Sequence, residues 1–320
     1  MLGGRVTELA VAGDPVLTNG DLRPVFIMGL HRSGTTILYK LLADTALFNV
    51  TTAYHILNRH RLLALHAAGE EAQAREELTR QFEARGLADR EFDSIRITPD
   101  IPEEYAYALD HQGPRPQLSP RNLEGFQRFC RALTATQDPA RPLLLKNPFD
   151  AENFLYMQEA LPAAVFVYIH RDPVDVVSSQ VRAFRSLLEK RNEYVALVAE
   201  HYRRLYERPF TLAWLRFLCS DRLPVLVNTV ARDVARVNDQ VLRRGEEMGD
   251  RCFHLTYAEL CAAPARTIAA ILTFLGWRDV PERSYAGLLN PRGSDLPPQV
   301  EARRERIRAR NAEYCRRFGV

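Results

Sequence analysis

Apolar residues in this chain fall into a few short unbroken runs, separated by longer stretches in which they recur every three or four positions. The runs are Val25–Met28, Leu143–Lys146, Ala164–Ile169, Leu223–Val227 and Cys252–Leu255. Short segments apolar on both faces and rich in Val, Ile, Leu or Phe suit strands buried inside a parallel sheet. The longer stretches predict helices over Thr35–Asp44, Ile56–Ala68, Glu70–Arg85, Asn122–Gln137, Ala151–Leu161, Pro173–Lys190, Asn192–Leu218, Ala231–Glu247 and Ala265–Leu275. Strands alternating with helices imply an α/β fold, a parallel sheet covered on both faces, with ligands beyond the carboxyl ends of the strands. Residues 110 to 121, "DHQGPRPQLSPR", read as an irregular loop, either a lid or a plain surface connection. The arginine-rich tail after residue 297 reads as a solvated helix face.

Composition narrows this picture only slightly. The 320 residues suffice for one large domain with a real core, and 46% hydrophobic with 26% charged residues is ordinary for a globular protein. A net charge of +3 does not argue for nucleic acid or membrane as a partner. No apolar run approaches the roughly eighteen residues of a membrane helix. The first residues carry Glu8 and an Asp14–Pro15 break where a signal peptide needs an apolar core, so the expected location is cytoplasmic. Cys130, Cys219, Cys252, Cys261 and Cys315 are scattered, which fits reduced, packed thiols and no metal site. The only lysines among 43 basic residues are Lys40, Lys146 and Lys190, which makes a lysine at a strand end informative.

The chemistry starts in "PVFIMGLHRSGTTILYKLL", residues 24 to 42: a buried strand, a glycine turn, an amphipathic helix. Gly29 and Gly34 have the spacing of a phosphate-binding P-loop, but Thr35 and Thr36 follow where G-K-[ST] belongs, so the lysine that meets a triphosphate is missing. Backbone N–H groups, the helix dipole, the hydroxyls of Ser33, Thr35 and Thr36, and the charge of Arg32 remain to hold an anion. A second element, "VYIHRDPVDVVSSQ", ends a strand at His170–Arg171, caps a helix with Asp172 and carries Ser179 eight residues after Arg171. Arg171 and Ser179 could clamp a second phosphate, or Arg171 could simply pair with Asp172 or Asp175.

Together these elements resemble the sulfotransferases that use 3′-phosphoadenosine 5′-phosphosulfate (PAPS). Arg32, Ser33, Gly34, Thr35 and Thr36 match that family's 5′-phosphosulfate loop, and Arg171 and Ser179 match its 3′-phosphate motif. "CFHLTYAELCAAPARTIAAILTFLG" is similar to a third family segment, which puts Tyr257 near the adenine, although Ala258 stands where a glutamate is usual. "LLLKNP" and "PEEYAYAL" resemble elements of the bacterial branch.

The resemblance implies a three-layer P-loop-like fold with a large helical insert. It would be one domain over 1–320: an N-terminal extension (1–23), the phosphosulfate-binding unit (24–55), the insert that builds the acceptor pocket (56–137), the rest of the sheet core (138–290) and a C-terminal helix (291–320). It implies in-line transfer of a sulfuryl group from PAPS, without metal, to a hydroxyl or less readily an amine of a small or carrier-bound acceptor. Arg32 and Lys146 would stabilise the charge on the leaving oxygen; the other reading of Lys146 is a solvated strand end. Pro148 stands where the cytosolic enzymes have their histidine base. His55, in the region where bacterial relatives place a base, is the expected general base, with a capping or packing role as its alternative and Glu103 and Glu104 next in order. His31, inside the loop, is placed to touch the phosphosulfate, and His170 to shape the rim. The rival functions are a nucleotide kinase or ATPase with a degenerate loop, and a non-catalytic nucleotide-binding module.

Overall fold

The computed structural model describes residues 22–87, 97–110, 115–278, 285 and 296–320. Five parallel strands run in the order β2-β3-β1-β4-β5, with β1 (Val25–Met28) in the middle. The chain passes from β1 through α1 (Thr35–Ala43) to the edge strand β2 (Asn49–Val50). It later returns to fill the gap with β3 (Leu143–Lys146), then crosses to β4 (Val165–His170) and β5 (Cys252–Thr256) on the other side. The direction of winding therefore reverses at β1, and the loop after β1 opens into the crevice where such sheets take ligands.

The period of two in the strands divides the core. Phe26, Met28, Leu143, Leu145, Phe166 and Tyr168 pack on one face of the sheet, and Val25, Ile27, Leu144, Val167 and Ile169 on the other with α1 and with Ile268, Ile271 and Leu272. Lys146, two residues on from Leu144, falls on the α1 side of the rim.

The helices between β2 and β3 form the insert: α2 (Ala53–Leu57), α3 (Leu62–Ala68), α4 (Glu71–Ala84) and α5 (Leu123–Ala135), with a 3₁₀ turn at Tyr105–Ala108. A short α6 (Phe154–Ala160) joins β3 to β4, and α7 (Pro173–Glu189) follows β4. The expected single helix over 192–218 is three: α8 (Glu193–Val198), α9 (Glu200–Tyr206) and α10 (Pro209–Leu218). Ala199 is extended between the first two, and Pro209 forces Arg208 out of helical geometry between the last two.

The expected strand over Leu223–Val227 is instead the start of α11 (Val225–Arg244). Its apolar run continues at helical spacing through Val230, Val234, Val237 and Val241, all buried, and that period overrides the local β preference. After β5 come α12 (Tyr257–Ala262) and α13 (Pro264–Phe274). The tail forms α14 (Pro298–Glu301), α15 (Arg304–Arg310) and α16 (Ala312–Phe318), and it is less solvated than its arginines imply. Val300 and Ile307 pack with the valines of α7 and α11, and Tyr314 is buried.

Candidate active site

The loop from Gly29 to Gly34 is shaped by close approach. A Cβ on Gly29 would lie 2.8 Å from both the Ile169 carbonyl oxygen and Ser33 Oγ, and one on Gly34 would lie 2.5 Å from Cδ2 of Tyr257. Gly34, at φ +108°, is also the residue before α1, so the helix N-terminus opens directly from the loop. Arg32 takes the left-handed conformation at φ +70°, which costs on the order of 1 kcal/mol for a residue with a side chain. The loop is braced from β4 and α7. Arg171 donates to the Arg32 carbonyl oxygen at 3.0 Å, Gln180 donates to the His31 carbonyl oxygen at 2.9 Å, and Arg32 Nε donates to Ser179 Oγ at 3.0 Å. The Arg171 guanidinium lies 4.4 Å from the centre of the Tyr257 ring, and its link to Asp175 is longer, 3.5 Å. The structure thus gathers Arg32, Ser33, Gly34, Arg171, Ser179 and Tyr257 into one cluster spanning the ends of β1, β4 and β5.

Several polar atoms in this cluster are buried with no hydrogen-bond partner: Ser33 Oγ, Arg171 Nε and His31 Nε2. Such orphans cost about 1–3 kcal/mol each unless a ligand or water meets them. Donors left waiting, a glycine cradle that a methyl group would fill, and two guanidinium groups suit a ligand with more than one anionic group. The residues fit a bisphosphorylated nucleotide.

On the other flank, Lys146 at the end of β3 is 2% exposed, so it is not a solvated strand end. Its ammonium donates to Thr36 Oγ1 at 2.9 Å and pairs with the Glu104 carboxylate at 2.8 Å. Glu104, 17% exposed, arrives on the segment before the 3₁₀ turn. Thr52 and Pro102 form an antiparallel bridge, and the Glu103 N–H donates to the Thr51 carbonyl oxygen at 2.8 Å. The buried Glu103 carboxylate accepts from the Tyr194 hydroxyl at 2.6 Å and from the Glu104 N–H at 3.2 Å. Glu103 therefore holds the segment while Glu104 faces Lys146.

A hub beneath Lys146 was not anticipated. Asp150, buried, accepts from Tyr105 Oη (2.6 Å), Asn147 Nδ2 (2.7 Å), Asn153 Nδ2 (2.8 Å) and the Leu118 N–H (3.0 Å). Burial pushes its carboxyl pKa up, and these donors oppose the shift. The hub also fastens the described part of the loop over residues 110–121: Asn147 donates to the Pro116 carbonyl oxygen and Gln117 to that of Phe149. Residues 111–114 of that loop lie outside the described residues. The only sequence signal for the hub is an Asn and an Asp three apart after a strand.

The three histidines of interest have distinct surroundings. His55 is buried at the third position of α2, where its Nδ1 lies 3.1 Å from the Thr52 N–H and 2.8 Å from Thr52 Oγ1 in a reciprocal capping box. Burial, aided by the Arg75 charge, lowers its pKa to about 3. His31 packs edge-on against Phe149 at 4.3 Å; burial lowers its pKa to about 4, although Glu104 acts in the opposite sense. His170 shares hydrogen bonds with Tyr314 Oη (2.8 Å) and His254 Nδ1 (2.9 Å) and stacks on Phe318 at 3.7 Å. It anchors the C-terminal helix to the sheet.

A loop that lacks the triphosphate lysine, with cationic groups on both flanks, agrees with the resemblance to the sulfotransferases. The profile of the sulfotransferase family matches residues 24–282, and the chain belongs to that family. It is similar to the omega-hydroxy-beta-dihydromenaquinone-9 sulfotransferase Stf3 of Mycobacterium bovis and of Mycobacterium tuberculosis, at 28% identity over 204 residues in each case. The match covers 58% of this chain and 49% of theirs, so the chain spans about half the length of the curated relatives it matches. The crystal structure of the sulfotransferase STF9 from Mycobacterium avium shares the fold, with a TM-score of 0.56 and 16% identity over 93% of this chain and 77% of that one. No helix among the described residues is long and apolar enough to cross a membrane.

Proposed function

We propose that this sulfotransferase takes its sulfuryl group from PAPS and passes it to a hydroxyl of its acceptor. The observation that carries the reading is the trio of Lys146, Thr36 and Glu104 beside the phosphate-type loop. When bound, PAPS supplies a sulfuryl group on a bridging oxygen, and its departure leaves 3′,5′-bisphosphoadenosine. Ser33, Gly34, Thr35, Thr36 and Arg32 are the residues we assign to the 5′ end, Arg171 and Ser179 to the 3′-phosphate, and Tyr257 to the adenine. We assign Lys146, and Arg32 held by Ser179 across the loop, to the charge that develops on the leaving oxygen, a role for fixed cations that needs no metal.

For the general base we favour Glu104 over His55. His55 uses its ring nitrogen as a helix cap and its pKa is depressed, whereas Glu104 is partly exposed and faces the cation. When the Glu104 carboxylate takes a proton from the acceptor hydroxyl, it loses the charge that pairs with Lys146. The ammonium is then released toward the loop, where negative charge accumulates. Proton transfer and leaving-group stabilisation are coupled through one ion pair. A hydroxyl acceptor is also what the mycobacterial relatives' name describes, and a hydroxylated small or lipid-like molecule is our reading of the acceptor class.

Calorimetry with 3′,5′-bisphosphoadenosine tests the donor reading. Binding in the micromolar range, about −8 kcal/mol, should survive EDTA. Tight Mg²⁺-dependent ATP binding with no affinity for the bisphosphate would instead favour a kinase or ATPase.

A further inference from the structure

Helix α10 turns its apolar face outward. Phe210 is 91% exposed, Trp214 60% and Phe217 49%, and Leu212 is the helix's one fully buried side chain. Positions 210, 214 and 217 lie at i, i+4 and i+7, on one stripe, and the Trp214 and Phe217 rings are 5.9 Å apart. Phe184, on the helix that α10 packs against, is also half exposed. The other side of α10 is fastened: Arg216 donates to the carbonyl oxygens of Leu188 (2.7 Å) and Glu189 (3.1 Å).

The surroundings of the stripe are basic. Between residues 200 and 222 there are five arginines and three acids. Glu200 pairs with Arg204, Glu207 with Arg203, and Asp221 with Arg185. Arg208 and Arg222 stand exposed at the two ends of the helix. Aromatic rings in a row with arginines at the margins match the headgroup layer of a bilayer, where indole rings are favoured and anionic lipids attract arginine.

We propose that the face of α10 carrying Phe210, Trp214 and Phe217 seats in the headgroup–acyl boundary of an anionic lipid bilayer. This departs from the expectation of no membrane partner, which rested on net charge and the absence of a spanning segment. It does not depend on the reading of the active site. A second copy of the chain fits the face less well. Ten helical residues extend about 15 Å, whereas a stable dimer buries about 800 Å² and some 20–30 residues per partner.

The test uses the full chain with vesicles of phosphatidylcholine and phosphatidylglycerol, and with vesicles of phosphatidylcholine alone. The sequence has two tryptophans, so Trp277→Phe leaves Trp214 as the sole reporter. Co-sedimentation of the unaltered chain is read in parallel, because Trp277 packs on Phe48 at 5.0 Å. The chain should co-sediment with the anionic vesicles about tenfold or more tightly than with the neutral ones. Trp214 emission should shift to the blue. Phe210→Ser and Trp214→Ser should each weaken binding about tenfold or more, the worth of one buried aromatic, with an unchanged melting midpoint. The proposal is overturned by no vesicle binding, or by binding that these substitutions leave intact. A dimer in sedimentation equilibrium that Trp214→Glu converts to monomer would overturn it in favour of self-association.

Discussion

Lys146 and Glu104 are 42 positions apart in the chain and 2.8 Å apart in the fold, one on a strand end and the other on an irregular segment beside it. Their pairing gives each a role that neither has alone. Glu104→Gln keeps the shape but cannot take a proton, so turnover should fall about 10²–10⁴-fold, the usual worth of a general base. Lys146→Ala should lower turnover about 10²–10³-fold, and Lys146→Arg should restore little, because a planar guanidinium does not place its charge where an ammonium does. All three variants should keep their affinity for 3′,5′-bisphosphoadenosine. Near-normal turnover in Glu104→Gln would remove it as the base.

His55 offers the complementary test. The third position of a capping box accepts Gln as readily as any residue, so His55→Gln should preserve the cap without a titrating ring. Its turnover should stay within a few-fold of the parent and its melting midpoint should hold. A loss of 10²-fold or more with a normal midpoint would return the base to His55.

What was legible in the sequence, and what was not, divides by range. The strand, loop and helix over residues 24–43 are local, and period, glycine spacing and hydroxyl content all point one way there. Lys146 and Arg171 could be put on the ligand rim because each ends an apolar run. Glu104 could not be ranked above His55, because its contact with Lys146 depends on the bridge between Thr52 and Pro102, a pairing that no local pattern encodes. The Asp150 hub was hidden for a similar reason, since two of its donors, Tyr105 and Leu118, come from segments far from it in the chain. At Leu223–Val227 the fault lay in the period: a short apolar run reads equally well as a strand or as part of a helix.

Gly34 should tolerate no side chain. In Gly34→Ala the new methyl group would meet the Tyr257 ring at 2.5 Å, and φ +108° is strained for alanine. We expect loss of bisphosphoadenosine binding by 10-fold or more in calorimetry. Adding Tyr257→Ala relieves the clash but not the backbone, and it removes the ring we assign to the adenine, so it should recover only part of the loss. Full recovery would show that the left-handed backbone matters less than the ring.

The 3′-phosphate assignment predicts a difference between ligands. Arg171→Ala and Ser179→Ala should weaken 3′,5′-bisphosphoadenosine more than adenosine 5′-phosphosulfate, which has no 3′-phosphate. The charge-assisted contact of Arg171 should be worth about 1.5–3 kcal/mol. The second ligand should not escape entirely, because Arg171 braces the Arg32 carbonyl oxygen and Ser179 accepts from Arg32. Equal losses for both ligands would mean that the two residues serve only as braces.

Acid should destabilise the protein well before its carboxylates are protonated. Burial lowers the pKa of His31 to about 4 and of His55 to about 3, and it also lowers those of His170 and His254. Each ring stays neutral in the folded chain, whereas in the unfolded chain it binds a proton below about pH 6.5. The unfolded state therefore holds more protons between that value and each folded pKa. Stability is fully present above pH 6.5 and falls as the pH drops, by up to ~1.4 kcal/mol per pH unit for each of His31, His55 and His170, and by less for the more exposed His254. Asp150, with its pKa raised, works in the opposite sense over its own range. The melting midpoint should fall steadily from pH 7 to pH 5, and His55→Gln should flatten the slope by one histidine's share. A midpoint constant over that range, or a slope unchanged in the variant, would show that these rings are protonated in the folded chain.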